Sequence, residues 1–109
     1  MFMTVAAQPR VDVHAILKAL AEPLRLQIVE ALAAEELCVC HLVEETGASQ
    51  PLVSHHLRTL REAGLVDADR FRQWTYYRLR PEALAEVAGL LGALAAGAPA
   101  AGEGRRPCC

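Results

Sequence analysis

The sequence predicts a mainly α-helical protein with a small two-stranded β wing, and three observations lead to that prediction. Apolar residues recur at helical spacing over most of the 109 residues. Two short segments of strand-like composition, at 65–70 and 74–79, interrupt this spacing. The first and last predicted helices carry apolar stripes that one small domain cannot cover, so we expect a homodimer formed through these terminal helices.

The first two helices are predicted on either side of a proline. Val13, Ile16 and Leu20 lie on one face of an amphipathic helix. Pro23 interrupts that pattern, yet proline is tolerated in the first turn of a helix. We therefore expect a second helix that starts near Pro23 and carries Ile28.

Two further helices follow and are separated by a glycine. The third is short and is predicted to extend to about Thr46, with Gly47 directly after it, as is common at helix C-termini. Ser49 is a suitable N-cap for the fourth helix. The buried stripe of the fourth helix is predicted to consist of Val53, Leu57 and Leu60.

The wing is predicted from the two strand-like segments, with a three-residue turn at 71–73 between them. A last helix is predicted from about Pro81 to Ala96, followed by a tail of Gly, Ala, Pro and Arg. Together these elements describe a winged helix-turn-helix domain at residues 11–96. A flexible N-terminus at 1–10 and a flexible tail at 97–109, which ends in two cysteines, would flank it.

The chain has a net charge of −2, but this charge is unevenly distributed. Residues 47–80 contain six arginines and three acidic residues, a local net charge of +3, whereas the segments on either side are acidic. A basic middle within an acidic chain favours local contact with phosphate. It argues against a protein that coats nucleic acid indiscriminately.

Composition also predicts a location. No stretch approaches the roughly 18 unbroken apolar residues of a membrane span, and the N-terminus lacks the pattern of a signal peptide. These features predict a cytoplasmic protein without membrane contact. In a reducing compartment, the four cysteines are expected to bind metal or undergo redox chemistry rather than to form structural disulfides.

Cys38 and Cys40 lie at the predicted start of the third helix. Consecutive helical residues turn by about 100°, so two side chains at this spacing would point apart in a regular helix. Either the pair lies in the loop and first turn, or ligand binding unwinds that turn and so supplies the energy of a switch. Without a ligand role, the two residues would be small buried apolar side chains.

Three segments and part of the wing carry a resemblance to a known family. The segments are 17–29 (LKALAEPLRLQIV), 36–42 (ELCVCHL) and 50–60 (QPLVSHHLRTL), and the wing ends in 76–79 (YYRL). They are similar to the corresponding parts of the ArsR–SmtB family of arsenic- and metal-responsive repressors, over about residues 12 to 95. The resemblance implies a homodimeric repressor, not an enzyme, that leaves its operator when an ion binds.

The chain departs from that family at the third ligand. Arsenic-responsive members often carry Cys-Val-Cys-Asp-Leu-Cys, whereas this helix has His41 in place of Asp and no third cysteine. Trivalent arsenic and antimony prefer three thiolates. As(III) or Sb(III) is therefore expected to bind Cys38, Cys40 and either Cys108 or Cys109, while His41 has a structural or surface role.

A recognition helix places its N-terminal half against base edges, and the fourth helix is expected to take this role. Gln50 can pair with adenine, and Arg70 and Arg72 beside the wing tip can reach phosphate or the minor groove. In a homodimer, two such helices about 34 Å apart would match an inverted repeat in double-stranded operator DNA. The expected DNA-contacting residues are Ser49, Gln50, Ser54, His55, Arg58, Arg61, Arg70, Arg72 and Gln73.

Two alternatives keep DNA binding but change the signal. Cadmium, lead, zinc or a methylated arsenical could occupy the thiols, or thiol oxidation could replace ion binding. A thiol redox enzyme is a different class of protein. The chain lacks the βαβ pattern typical of thioredoxin-like proteins, which argues against that class.

Overall fold

The computed structural model describes residues 12–108, which form a series of helices interrupted by one β-hairpin. The elements are α1 (Val13–Leu20), α2 (Pro23–Leu32), α3 (Val39–Thr46), α4 (Gln50–Glu62), β1 (Val66–Phe71), β2 (Trp74–Leu79) and α5 (Pro81–Gly97). Residues 1–11 and Cys109 lie outside the described residues, and the N-terminal segment predicted at 1–10 lies there. No helix between residues 12 and 108 is long and apolar enough to cross a membrane.

The predicted helices are confirmed, whereas the hairpin differs by one residue. Phe71 pairs with Trp74, so the turn consists of Arg72 and Gln73 alone and the predicted three-residue turn is wrong. Arg72 has a φ of 59°, in the left-handed region, which allows two residues to reverse the chain. The first strand therefore begins and ends one residue later than predicted.

The core is built around α4, which packs against α1, α2, α3 and β1. The inward stripe predicted for this helix is confirmed, because Val53, Leu57 and Leu60 are all buried. Burial of each such side chain contributes roughly 1.5–3 kcal/mol. The outer face of α4 is thus held in a fixed orientation by its inner face.

Gly47 and Ser49 shape the turn that joins α3 to α4. Gly47 ends α3 with a φ of 74°, a conformation that glycine adopts without steric cost. Thr46 Oγ1 accepts a hydrogen bond from the amide of Ala48 at 3.2 Å. The N-cap role predicted for Ser49 is confirmed, since its Oγ accepts from the amide of Leu52 at 3.4 Å.

A polar cluster of Glu22, Arg25 and His56 fixes α4 to the corner between α1 and α2. Arg25 Nε donates to the carbonyl of Ala19 at 2.8 Å, and Arg25 Nη1 lies 3.0 Å from His56 Nδ1. A guanidinium can only donate, so Nδ1 accepts and the histidine carries its proton on Nε2. That nitrogen lies 4.0 Å from Glu22 Oε1. The neutral, buried His56 thus joins the first residue before α2 to the middle of α4.

The stability of the protein is expected to fall on acidification through His56. Burial lowers the pKa of His56 below its ordinary 6.5; Glu22 opposes this effect, and the charges of Arg25 and His55 add to it. Below pH 6.5 the unfolded chain binds this proton more readily than the folded chain, so stability is lost as the pH falls through the folded-state pKa.

The measurement is the free energy of unfolding in urea from about pH 8 to about pH 5. His56→Gln should flatten this dependence, while His14→Gln, at an exposed histidine of α1, should leave it as in the wild type. An unaltered slope in His56→Gln would contradict the assignment.

Candidate metal centre and nucleic-acid interface

Cys38 and Cys40 meet at the start of α3. Cys38 is the residue before the helix and has an extended backbone, with φ −92° and ψ 173°, whereas Cys40 lies in the first turn. The two Sγ atoms are 3.2 Å apart. The first of the two arrangements expected from the sequence is therefore confirmed, and unwinding of the helix is not needed to bring the two sulfur atoms together.

His41 stabilises this turn. Its Nδ1 accepts a hydrogen bond from the amide of Cys38 at 3.2 Å and lies 3.3 Å from Cys38 Sγ. A side chain at the third helical position that bonds back to the N-cap amide is half of a capping box, a role usually taken by Glu or Gln. The structural role predicted for His41 is confirmed by this contact.

The pKa values of the two thiols are shifted in opposite directions. Burial raises the pKa of the Cys38 thiol, but hydrogen bonds from Cys40 Sγ and from the amides of the first helical turn outweigh burial and lower it below 9.0. The pKa of Cys40 is raised, first because its thiol donates to Cys38, then by desolvation and by the charge of Cys38. Cys38 is therefore the thiol of the pair that loses its proton more readily, and the thiolate is the form that binds soft ions.

The thiol pair lines a cleft of about 400 Å³ that separates the start of α3 from the start of α4 and from the wing. Gln50 closes it on the side of α4, and Gln73 and Trp74 close it on the side of the wing. Trp74 is the first residue of β2, and 44% of it is exposed. Its position directly after the two-residue turn is the signal that sequence reasoning missed.

The chain segment before the thiols is bonded directly to the wing. The amide of Leu37 donates to the carbonyl of Tyr77 at 3.1 Å, and the amide of Tyr77 donates to the carbonyl of Leu37 at 2.8 Å. Leu37 precedes Cys38, and Tyr77 lies in β2. A single residue, Leu37, thus separates the thiol pair from the backbone pairing with the wing.

The terminal cysteines are not joined to this pair among the described residues. Cys108 is exposed and free, and Cys109 lies outside the part of the chain that the structure describes. Between residues 12 and 108, no three His, Cys, Asp or Glu side chains are grouped closely enough to hold a metal ion. The described part therefore brings together two of the four predicted ligands.

The predicted nucleic-acid contacts share one property, which is exposure to solvent. Those on α4 lie on the side away from the buried stripe, and the others lie at its N-cap or at the wing tip. All of them are exposed: Ser49, Gln50, Ser54, His55, Arg58, Arg61, Arg70, Arg72 and Gln73. By contrast, the neighbouring His56 is buried.

Ion pairs divide the six arginines of the basic segment into two groups. Arg78 pairs with Asp67 and Asp69 across the hairpin, and Arg80 pairs with Glu82 at 3.0 Å. The other four are Arg58, Arg61, Arg70 and Arg72, and the described residues give them no ion-pair partner. These four can therefore offer their charge to phosphate.

Sequence reasoning also missed two exposed apolar side chains beside the interface. Leu52 is 44% exposed in the first turn of α4, and Phe71 is 56% exposed at the end of β1. The guanidinium of Arg72 lies 5.2 Å from the centre of the Phe71 ring, which is a cation–π contact. Alternation along the strand predicts which residues share a face, but not that the wing tip leaves this ring in solvent.

Comparison with known proteins finds one matching family and several related regulators. Residues 22–68 match the family described as bacterial regulatory protein, arsR family. The arsenic resistance transcriptional regulator ArsR1 of Pseudomonas putida is 47% identical over 68 residues, which is 62% of this chain and 53% of that relative, so the chain spans about half its length. The arsenical resistance operon repressor of Staphylococcus xylosus is 38% identical over 73 residues, or 67% of this chain and 70% of the relative.

A solved structure shows the same fold. A homodimeric winged helix-turn-helix DNA-binding domain from Mycobacterium bovis, described as a possible ArsR-family transcriptional regulator, is 33% identical. It superposes with a TM-score of 0.64 over 84% of this chain and 91% of that domain. The mainly α-helical fold with a β wing, predicted from the sequence, is thereby confirmed.

The opposite pKa shifts of the two thiols give a testable prediction. In a Cys108→Ser, Cys109→Ser background, Cys38 and Cys40 are the only thiols. The absorbance of their thiolates should then rise in two separate steps with pH. Adding Cys40→Ala should raise the pKa of Cys38, because the donor to its thiolate is lost. Cys40→Ser is the matched control, since its hydroxyl can still donate; an unaltered titration of Cys38 in Cys40→Ala would contradict the prediction.

Proposed function

Since this chain belongs to the arsR family of bacterial regulatory proteins, we propose that it is a transcriptional repressor of a resistance operon. Its dimer binds operator DNA and leaves it when trivalent arsenic or antimony binds the thiolates of Cys38 and Cys40. The observation that carries this proposal is the contact between the two sulfur atoms, 3.2 Å apart beside the wing. Soft thiolates placed together are the ligands that such ions prefer.

The DNA contact is proposed to combine base reading by α4 with phosphate binding around it. Gln50 and Ser54 lie in the first half of the exposed face, where a recognition helix meets base edges. Arg70 and Arg72 at the wing are exposed and can reach phosphate or the minor groove. The remaining contacts are proposed for Ser49, His55, Arg58, Arg61 and Gln73.

A second copy of the chain is proposed to cover the exposed apolar face of α5. Leu90, Leu91 and Leu94 are 43%, 49% and 63% exposed, and Leu17 of the adjacent α1 is 39% exposed. An apolar surface of this kind on a small domain favours association. A two-fold axis through it would present two α4 helices about 34 Å apart to an inverted repeat.

Release is proposed to begin at the thiols and to reach the DNA through the wing. Bonds to a bound ion would change the positions of Cys38 and Cys40, and the paired backbones of Leu37 and Tyr77 join this turn to β2. A coupling free energy of about 1–3 kcal/mol corresponds to roughly 5–150-fold in operator affinity. Cys108 or Cys109 is proposed to supply a third thiolate.

Replacing the thiol pair should separate DNA binding from release. Cys38→Ser with Cys40→Ser should keep operator affinity within about twofold, because serine preserves the size of both side chains. Arsenite should release the wild type from operator DNA but not this variant, as measured by fluorescence anisotropy of labelled DNA. Arsenite-dependent release of the double variant would exclude the proposed site.

Two further measurements test whether a terminal cysteine is the third ligand and whether arsenic or oxidation is the signal for release. Cys108→Ser with Cys109→Ser should weaken arsenite binding and reduce the thiolate absorbance that accompanies it; identical affinity and absorbance would exclude the tail. Peroxide without arsenite tests the second candidate signal, thiol oxidation, which the same sulfur contact favours. Release by peroxide alone would support that alternative.

The dimer is tested by charge on the apolar face. The double variant Leu90→Glu, Leu94→Glu should be a monomer in sedimentation and should lose most of its operator affinity. Each substitution replaces an exposed leucine of the proposed interface by a carboxylate, which is costly to bury. Leu26→Glu, at a leucine of α2 that is 42% exposed, is the matched control. A dimeric Leu90→Glu, Leu94→Glu variant would contradict the proposed interface.

A further inference from the structure

We propose that the cleft beside the thiol pair accepts the aromatic ring of a trivalent arsenical that carries one aryl group. The inference rests on the proposed function, since it requires that Cys38 and Cys40 hold arsenic. To the proposed function it adds the chemical class of the ligand that fits the described part of the site best. Two features carry it, namely the number of sulfur atoms and the walls of the cleft.

The number of sulfur atoms suits an arsenical with one carbon substituent. Arsenite, As(OH)3, condenses with two thiols to form two As–S bonds and release two waters, and it keeps one hydroxyl. An aryl arsine oxide condenses with two thiols to form two As–S bonds, while its oxygen leaves with both thiol protons as one water. Arsenic stays trivalent in both reactions. The arsenite product keeps a hydroxyl that a third thiol can displace, whereas the As–C bond of the aryl compound leaves no position for a third thiol.

The described residues offer two sulfur atoms and no third thiolate beside them, and the nearby His41 Nδ1 accepts a hydrogen bond from the amide of Cys38. Cys38 and Cys40 are in contact, while no group of three potential metal ligands occurs between residues 12 and 108. A ligand that needs two bonds from the protein is therefore complete in the observed arrangement. Inorganic arsenite gains its preferred third thiolate only if a terminal cysteine reaches the pair.

The walls of the cleft suit a flat ring. Its volume of about 400 Å³ lies within the roughly 300–1,000 Å³ typical of small-molecule sites. Trp74 and Tyr77 both line it, and Val39 lies between the two cysteines in the sequence and lines it too. An aryl group on arsenic can pack against these aromatic side chains, which favours binding by about tenfold.

The position of the ring has a consequence for DNA binding. Gln50 at the start of α4 and Gln73 in the turn of the wing line the same cleft. Both are proposed contacts to DNA. A ring held by the thiols would occupy the space between them, so an aryl arsenical is expected to release the operator more completely than arsenite does.

Three probes separate the effect of the valence from that of the cleft. Phenylarsine oxide, a trivalent monomethyl arsenical and sodium arsenite are titrated into a Cys108→Ser, Cys109→Ser background. Trp74 is the single tryptophan of the chain, so its fluorescence reports on the cleft directly. The expected order of affinity is phenyl, then methyl, then inorganic, with the phenyl compound about tenfold tighter than the methyl compound.

A variant that fills the cleft provides the decisive comparison. Thr75 lines the cleft from β2, a strand that accepts aromatic residues. Thr75→Phe should weaken binding of phenylarsine oxide about tenfold and leave methyl arsenical and arsenite affinities unaltered. Thr75→Val, similar in volume to threonine, is the matched control and should bind all three as the parent does.

Two outcomes overturn the inference. Equal affinities for the phenyl and methyl compounds would show that the ring gains nothing from the cleft. Equal effects of Thr75→Phe on all three probes would show that the substitution acts on the thiols rather than on the ring. Failure of the proposed function is distinguishable, because then no arsenical would release the wild-type protein from operator DNA.

Discussion

The antiparallel pairing of Leu37 with Tyr77 is the contact on which the arrangement of the site depends. Two backbone hydrogen bonds, at 3.1 and 2.8 Å, hold the residue before Cys38 against the wing. Extended backbone at Leu37 continues into Cys38, which is why Cys38 lies outside α3 and its sulfur can meet that of Cys40. The same pairing leaves a cleft in which thiols, wing and the start of α4 are neighbours.

The free energies of the contacts indicate which element a ligand at the thiols can move. The buried stripe of α4, formed by Val53, Leu57 and Leu60, contributes roughly 1.5–3 kcal/mol per side chain, whereas a coupling of about 1–3 kcal/mol suffices for a useful switch. A ligand at the thiols therefore does not need to displace α4 from the core, and could not easily do so. The wing, a two-stranded hairpin with an exposed tip, is the element that such an energy can move.

The positive charge available at the proposed DNA interface depends on which arginines form ion pairs, rather than on the composition of the chain. The chain as a whole is slightly acidic, and two of the six arginines in its basic segment are bound to carboxylates. Ion pairs at this degree of exposure contribute little stability, so their main effect is to select which guanidinium groups stay available. Arg58 and Arg61 on α4, with Arg70 and Arg72 on the wing, have no ion-pair partner among the described residues.

The sequence by itself determined the elements, because helical spacing, proline and glycine act over a few residues and do not need the rest of the chain. It also predicted Cys38 and Cys40 as a pair, which their contact confirms, and an interface on the exposed face of α4, which stays a prediction. Only the tertiary structure decided that the two sulfurs converge without unwinding, that Arg78 is neutralised, and that Trp74 lines a cleft. The cleft depends on contacts between residues far apart in the sequence, such as Leu37 with Tyr77. The ion pairs of Arg78 depend on the register of the hairpin, and the sulfur contact on the extended backbone at Cys38, neither of which a local sequence pattern fixes.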